Sequence, residues 1–222
     1  MKLSILIPYR PDGGPRDVLW QWLRQRYDVF FPHAEMIVAG ETASLPFNRP
    51  RAANQAADMA TGDIYVIGDA DTAFNPEFLR RAIKHVARTG DWMVPTTYHQ
   101  LTEETTREIV AGAADAEIGE PTSTVWTGHG SSVAPILVTP AKAFHQVGGY
   151  DERYVGWGSD DRAFAVAMNT LYRHYVRWQG ASYHLFHPRG NQHDSNASLT
   201  LAYVQADGDA ASVSRLRSGS RL

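Results

Sequence analysis

"YVIGDADTAF", residues 65–74, runs an apolar stretch into two aspartates spaced two apart. In an extended chain, residues two apart point to the same face, so Asp69 and Asp71 are expected side by side at the end of a buried strand. Such a pair repels itself unless both carboxylates are in water or a cation lies between them. Two readings are therefore open. One is a solvated strand-to-loop turn, where Asp is common; the other is a divalent cation, Mg²⁺ or Mn²⁺, held by carboxylate oxygen.

Working outward, "LSILIP" (3–8), "EMIVAG" (35–40) and "IYVIGD" (64–69) read as buried strands. Between them lie two helix candidates: "PRDVLWQWLRQRYDVFF" (15–31), which opens with a proline, and alanine-rich "RPRAANQAADMATG" (49–62), which stops at Gly62. Strand alternating with helix predicts an α/β fold with a mixed, mainly parallel central sheet flanked by helices. Ligands of such sheets gather at the carboxyl ends of the strands, where Asp69 and Asp71 stand.

Further on, "NPEFLRRAIKHVARTG" (75–90) carries Asn75 as N-cap, Pro76 at the first helical position and Gly90 past the end. "WMVPTTY" suggests a fourth strand, residues 102–120 an exposed acidic helix, and residues 121–132 a loop. A short strand, a short helix and a double-glycine turn follow. Residues 160–175 read as helix, and "WQGASYHLFHPRG" as a final short strand entering a loop. One domain is expected over residues 1–190, followed by a closing loop and tail over 191–222. The last dozen residues, "ASVSRLRSGSRL", are polar and small enough to be expected mobile.

The chain has 222 residues, a formal net charge of −3 and no cysteine. Disulfides and cysteine-based zinc sites are excluded, and the charge gives no global attraction to nucleic acid or anionic membrane. The opening apolar run is too short for a signal peptide or a membrane span, so a cytoplasmic location is the expectation.

Four segments join the D-x-D: "LIPYRPDGGPR" (6–16), "LPFNRPRAANQAA" (45–57), "GGYDERYVGWGSDDRAF" (148–164) and "SYHLFHPRG" (182–190). In this order they resemble the GT-A glycosyltransferases, especially the group of family 2 enzymes, β-1,4-galactosyltransferases and polypeptide N-acetylgalactosaminyltransferases. The resemblance spans about residues 3–190. It implies that Pro8, Tyr9, Arg10, Glu41, Phe47, Arg49 and Asp69 contact the nucleotide of a UDP-sugar donor, with Arg51 and Asn54 on the following helix as weaker candidates. It also implies Mn²⁺ or Mg²⁺ on Asp71 with His184 or His187 or both, and Asp69 reached through water. His193, in the stretch that resembles a closing loop, is a poorer candidate.

The segment "YVGWGSDDRAF" (154–164) has a bland reading, in which Ser159, Asp160 and Asp161 only cap and charge a helix. By resemblance, Trp157 and Gly158 face a sugar, Asp160 binds the acceptor and Asp161 is the general base. Ser159 stands where the family motif has Gly, and Asp160 where it has Glu. The implied activity is inverting transfer of a hexose or N-acetylhexosamine to an acceptor hydroxyl on a glycan, a protein or modified nucleic acid. The rivals are a sugar-nucleotide nucleotidyltransferase and a non-catalytic binder of the same fold.

Overall fold

The structure is a computed structural model that describes residues 1–40, 47–118, 124–129, 136–156, 158–188 and 196–221. Three parallel strands start it: β1 (Leu3–Pro8), β2 (Glu35–Ala39) and β3 (Ile64–Gly68), linked by helices α1 (Pro15–Phe30) and α2 (Arg49–Met59). After the D-x-D come β4 (Thr72–Phe74), α3 (Pro76–Thr89), β5 (Met93–Leu101), α4 (Glu103–Ala111), β6 (Thr124–His129), β7 (Ile136–Pro140) and α5 (Ala141–Gln146). Helix α6 (Asp160–Leu171), β8 (Val176–His184), α7 (Ala197–Ala206) and α8 (Ala210–Arg217) complete it. The sheet runs β2-β1-β3-β7-β5-β8-β4, with β6 beside β5. Strands β5 and β8 are parallel, and β3–β7, β5–β7, β5–β6 and β4–β8 are antiparallel, so the sheet is mixed.

Alternation along the strands divides the core between the two faces. Ile5 and Ile7 of β1, with Ile64 and Val66 of β3, pack against Leu19 and Leu23 of α1 and Leu79 and Ile83 of α3. Leu6, Tyr65 and Ile67 face Ala53, Ala56 and Ala57 of α2, Phe144 of α5 and Phe164 of α6. Small residues on α2 let that helix lie close to the sheet. Helix α3 has the expected ends: Asn75 accepts from the Phe78 N–H at 3.0 Å, and Gly90 takes a left-handed φ of 73°. No helix among the described residues is long and apolar enough to cross a membrane.

Several local expectations are corrected. Helix α2 ends at Met59, short of Gly62, which instead packs so closely on Ser4 that a Cβ would come within 2.4 Å of its Oγ. Helix α4 stops at Ala111 rather than continuing to 120, and buried Arg26 donates to the carbonyls of Ala114 and Ala116 beyond it at 2.8 and 2.7 Å. The expected loop over 121–132 contains β6, which pairs with β5. Helix α6 ends at Leu171, and the expected short last strand has nine residues.

The tail carries two helices. Helices α7 and α8 bury Tyr203 and Val213 completely in the core, and Arg217 donates to the carbonyls of Val147, Gly148 and Gly149. The Ser220 carbonyl accepts from the Glu152 N–H at 2.6 Å. A few well-placed apolar side chains and one arginine thus anchor a stretch whose average composition is polar.

Candidate active site

The two aspartates that the sequence places side by side are drawn to different partners. Beyond Asp71 the chain enters β4, and Thr72 pairs with His184 across the β4–β8 ladder. The Leu185 N–H then donates to the Asp71 carbonyl at 2.8 Å. Register therefore sets Asp71 against His184, and His187 follows three residues later, past the end of β8. Nε2 of His184 is 3.7 Å from Asp71 Oδ1, and Nε2 of His187 is 3.3 Å from Oδ2. One ligand atom from each of Asp71, His184 and His187 lies within 4.8 Å of the others.

This trio fits a divalent metal. The His187 Nδ1 lies 3.0 Å from the Pro188 carbonyl, which can only accept, so Nδ1 carries a proton; Nε2 donates to Asp71 when the ring is charged and offers its lone pair to a metal when the ring is neutral. The buried Nδ1 of His184 has no hydrogen-bond partner among the described residues. Asp71 is only 4% exposed. Burial opposes its charge, but the hydrogen bond to His187 and the fields of His184 and Arg16 prevail and hold its carboxyl below the usual range. The same hydrogen bond raises His187 above the ordinary histidine value.

Asp69 points elsewhere and its carboxylate is not part of the trio. It accepts from Arg49 Nε at 2.7 Å. Nη1 of the same guanidinium reaches Asp160 at 2.7 Å and Asp161 at 3.2 Å, and the Tyr150 ring lies 5.3 Å from it. Asp160 and Asp161, adjacent at the start of α6, thus converge on one cation. Burial pushes Asp161 well above the usual carboxylate range; Arg49 opposes this, while Asp160 and Asp69 add to it. Asp69 is raised for the same first reason. A carboxyl raised in this way accepts a proton more readily than an ordinary one.

Helix α2 holds the two halves of the site together. Asn48 caps it by accepting from the Arg51 N–H at 2.8 Å and donates to the Glu152 carbonyl at 2.8 Å. Asn54, fully buried, donates to the Tyr150 carbonyl and to Glu152 and accepts from the Tyr150 N–H. Arg51 pairs with Glu152 at 3.3 Å. Arg51 and Asn54 therefore brace the turn ahead of α6. Gly149, with φ of 72°, makes this possible: a Cβ there would come within 2.3 Å of Asn54 Oδ1.

The other expected residues fall as follows. Pro8 ends β1, and Tyr9 is buried on Trp20 with its hydroxyl donating to Asp17. Arg10 lies over the Phe47 ring at 5.6 Å, uniting two segments of the resemblance. Gly156 and Gly158 have φ of 77° and 108°, and Asn196 donates to the carbonyls of Val155 and Gly158 at 3.2 Å, pinning both sides of that loop. Ser159 has φ of 69° and makes no side-chain cap bond, so the position is one a glycine would fill without strain. Glu41, Trp157 and His193 lie outside the described residues.

Sequence reading missed Arg16, whose Nε donates to Asp71 Oδ2 at 3.0 Å. The signal was a cation in the first turn of a helix, where the helix dipole disfavours it.

Residues 44–130 match the family model "Glycosyl transferase family 2", and residues 127–188 match "N-terminal domain of galactosyltransferase". Drosophila β1,4-galactosyltransferase 7, crystallised as a mutant complex with manganese, UDP-Gal and xylobiose, superposes with a TM-score of 0.57 at 16% identity, covering 90% of this chain and 79% of that one. GalNAc-T7, with UDP, GalNAc and Mn²⁺, gives a TM-score of 0.58 at 11% identity, covering 93% of this chain and 48% of that one. No curated protein matches the chain in sequence. By fold and by these two successive matches, the chain is a GT-A fold glycosyltransferase resembling the family 2 and galactosyltransferase group.

Proposed function

We propose that the protein transfers a hexose or N-acetylhexosamine from a UDP-sugar to an acceptor hydroxyl, with inversion and with a divalent metal. The observation that carries this is the division of the D-x-D. Asp71 joins two histidines in a metal-binding set, while two residues away Asp69 joins Arg49, Asp160 and Asp161. The GT-A neighbours, one with manganese, UDP-Gal and xylobiose and the other with UDP, GalNAc and Mn²⁺, support the same reading.

Asp71, His184 and His187 would hold the metal, which supplies positive charge to the departing diphosphate. Two imidazoles in the set favour Mn²⁺ over Mg²⁺, because Mg²⁺ prefers oxygen ligands. Asp160 would hold the acceptor. Asp161 would take the hydroxyl proton as the acceptor oxygen bonds to the anomeric carbon and the bond from that carbon to the phosphate oxygen breaks, releasing UDP. Arg49 keeps the two acids of α6 together and favours the ionised base.

The test is incubation with a panel of UDP-sugars, candidate acceptors and Mn²⁺, scoring UDP release and the product's anomeric configuration by NMR. Inverted product formed only with divalent metal is the expected result. Retained configuration, or full activity in chelator, would overturn the reading.

A further inference from the structure

Arg16 faces the oxygen of Asp71 that also faces His187: its Nε is 3.0 Å from Oδ2, and His187 Nε2 is 3.3 Å from the same atom. Its place on α1 is unfavourable for a cation. It follows Pro15 in the first turn, where the unpaired N–H groups already present positive charge. A local rule broken in this way next to a reactive centre calls for a compensating role. The side chain is 26% exposed, so it is not locked in the core and can reach an arriving ligand. Its guanidinium lies 5.9 Å from the Tyr9 ring, beside the segment expected to meet the donor.

A divalent cation on Asp71, His184 and His187 would meet this guanidinium across a shared carboxylate oxygen. Two cations that close repel strongly in a site shielded from water. An arriving diphosphate relieves the conflict, because its oxygens accept charge-assisted hydrogen bonds from arginine while also meeting the metal.

We infer that Arg16 couples metal binding to donor binding: without donor it pairs with Asp71 and opposes the metal, and with donor present it turns to the diphosphate. Arg16 is thus a positioning residue that acts through Asp71 and the donor. This rests on the reading of Asp71, His184 and His187 as the metal set. Coupling of this kind is reciprocal, so whatever donor does for metal affinity, metal does for donor affinity.

The experiment titrates the full chain with MnCl₂, following free Mn²⁺ by electron paramagnetic resonance, with and without saturating UDP. It compares the wild type with Arg16→Gln, Arg16→Lys and His187→Ala, and circular dichroism checks that each is folded. Arg16→Gln should bind Mn²⁺ alone about 5-fold tighter or more, and UDP should then improve its Mn²⁺ affinity by a smaller factor than in the wild type. Arg16→Lys, which keeps the charge, should stay close to the wild type. Unchanged or weaker Mn²⁺ binding by Arg16→Gln, or an undiminished effect of UDP, overturns the inference. His187→Ala separates the two readings: it should weaken Mn²⁺ binding, and if it does not, the metal set itself is wrong and the inference falls with it.

Discussion

Replacing Arg49 with methionine keeps most of the side-chain volume and removes the cation on which Asp69, Asp160 and Asp161 converge at 2.7, 2.7 and 3.2 Å. The Arg49 side chain is 18% exposed, and those of Asp69, Asp160 and Asp161 are 22%, 12% and 30% exposed, so solvent screening is incomplete. Removing one partner from such a network leaves uncompensated charge and costs about 3–5 kcal/mol. The loss must also depend on pH. Burial already holds Asp161 and Asp69 above the ordinary carboxylate value of 3.8 while Arg49 pulls them down, so the variant raises both further. Between the ordinary value and the raised one, the folded state binds more protons than the unfolded state, and stability falls as pH rises. The variant extends that window, and each further tenfold drop in a carboxyl's acidity costs about 1.4 kcal/mol once the group is ionised. Urea unfolding at pH 5 and pH 8 should show a larger loss at pH 8. In a double-mutant cycle, Asp161→Asn should recover at least about 1 kcal/mol of the Arg49→Met loss. An equal loss at both pH values, together with zero coupling, would refute the account of Arg49 as the shared counter-charge.

Three other outcomes are expected. Ser159→Gly should stabilise the protein by about 1 kcal/mol in chemical denaturation, because it relieves a left-handed backbone at φ of 69° without losing a cap bond. Asp161→Asn should keep UDP and Mn²⁺ binding by calorimetry but lose about 10²–10⁴-fold in turnover. In the wild type, the rise of kcat/KM with pH should then fall above the ordinary carboxylate range, since Asp161 acts only when ionised and burial raises it. Gly149→Ala should destabilise strongly, measured by thermal melting, because its Cβ would meet Asn54 Oδ1 at 2.3 Å in a backbone conformation with positive φ.

Local signals carried much of the fold. Strands β1, β2 and β3 and the N-terminus of α3 follow from apolar runs, from Asn75 and Pro76, and from Gly90, all readable within a few residues. Strands β4 and β6 were not legible, because a three-residue strand and a threonine-rich one gain their order from partners distant in sequence. The helices of the tail were not legible for a related reason: Val213 and Arg217 are anchored by residues far back in the chain.

For the site, the sequence by itself determined which residue types were available: a D-x-D after a strand, two histidines three apart, and paired acids at a helix start. Tertiary structure decided their grouping. The strand rule predicts that Asp69 and Asp71 share one face, but β3 ends at Gly68, so the alternation does not extend through them. The β4–β8 register then draws Asp71 to His184 and His187, and α2 draws Asp69 to Arg49. Likewise, successive side chains at a helix start point in different directions, yet one guanidinium gathers both Asp160 and Asp161. Side-chain direction near the end of an element is set by the charge it meets, and that charge comes from a segment that only folding brings near.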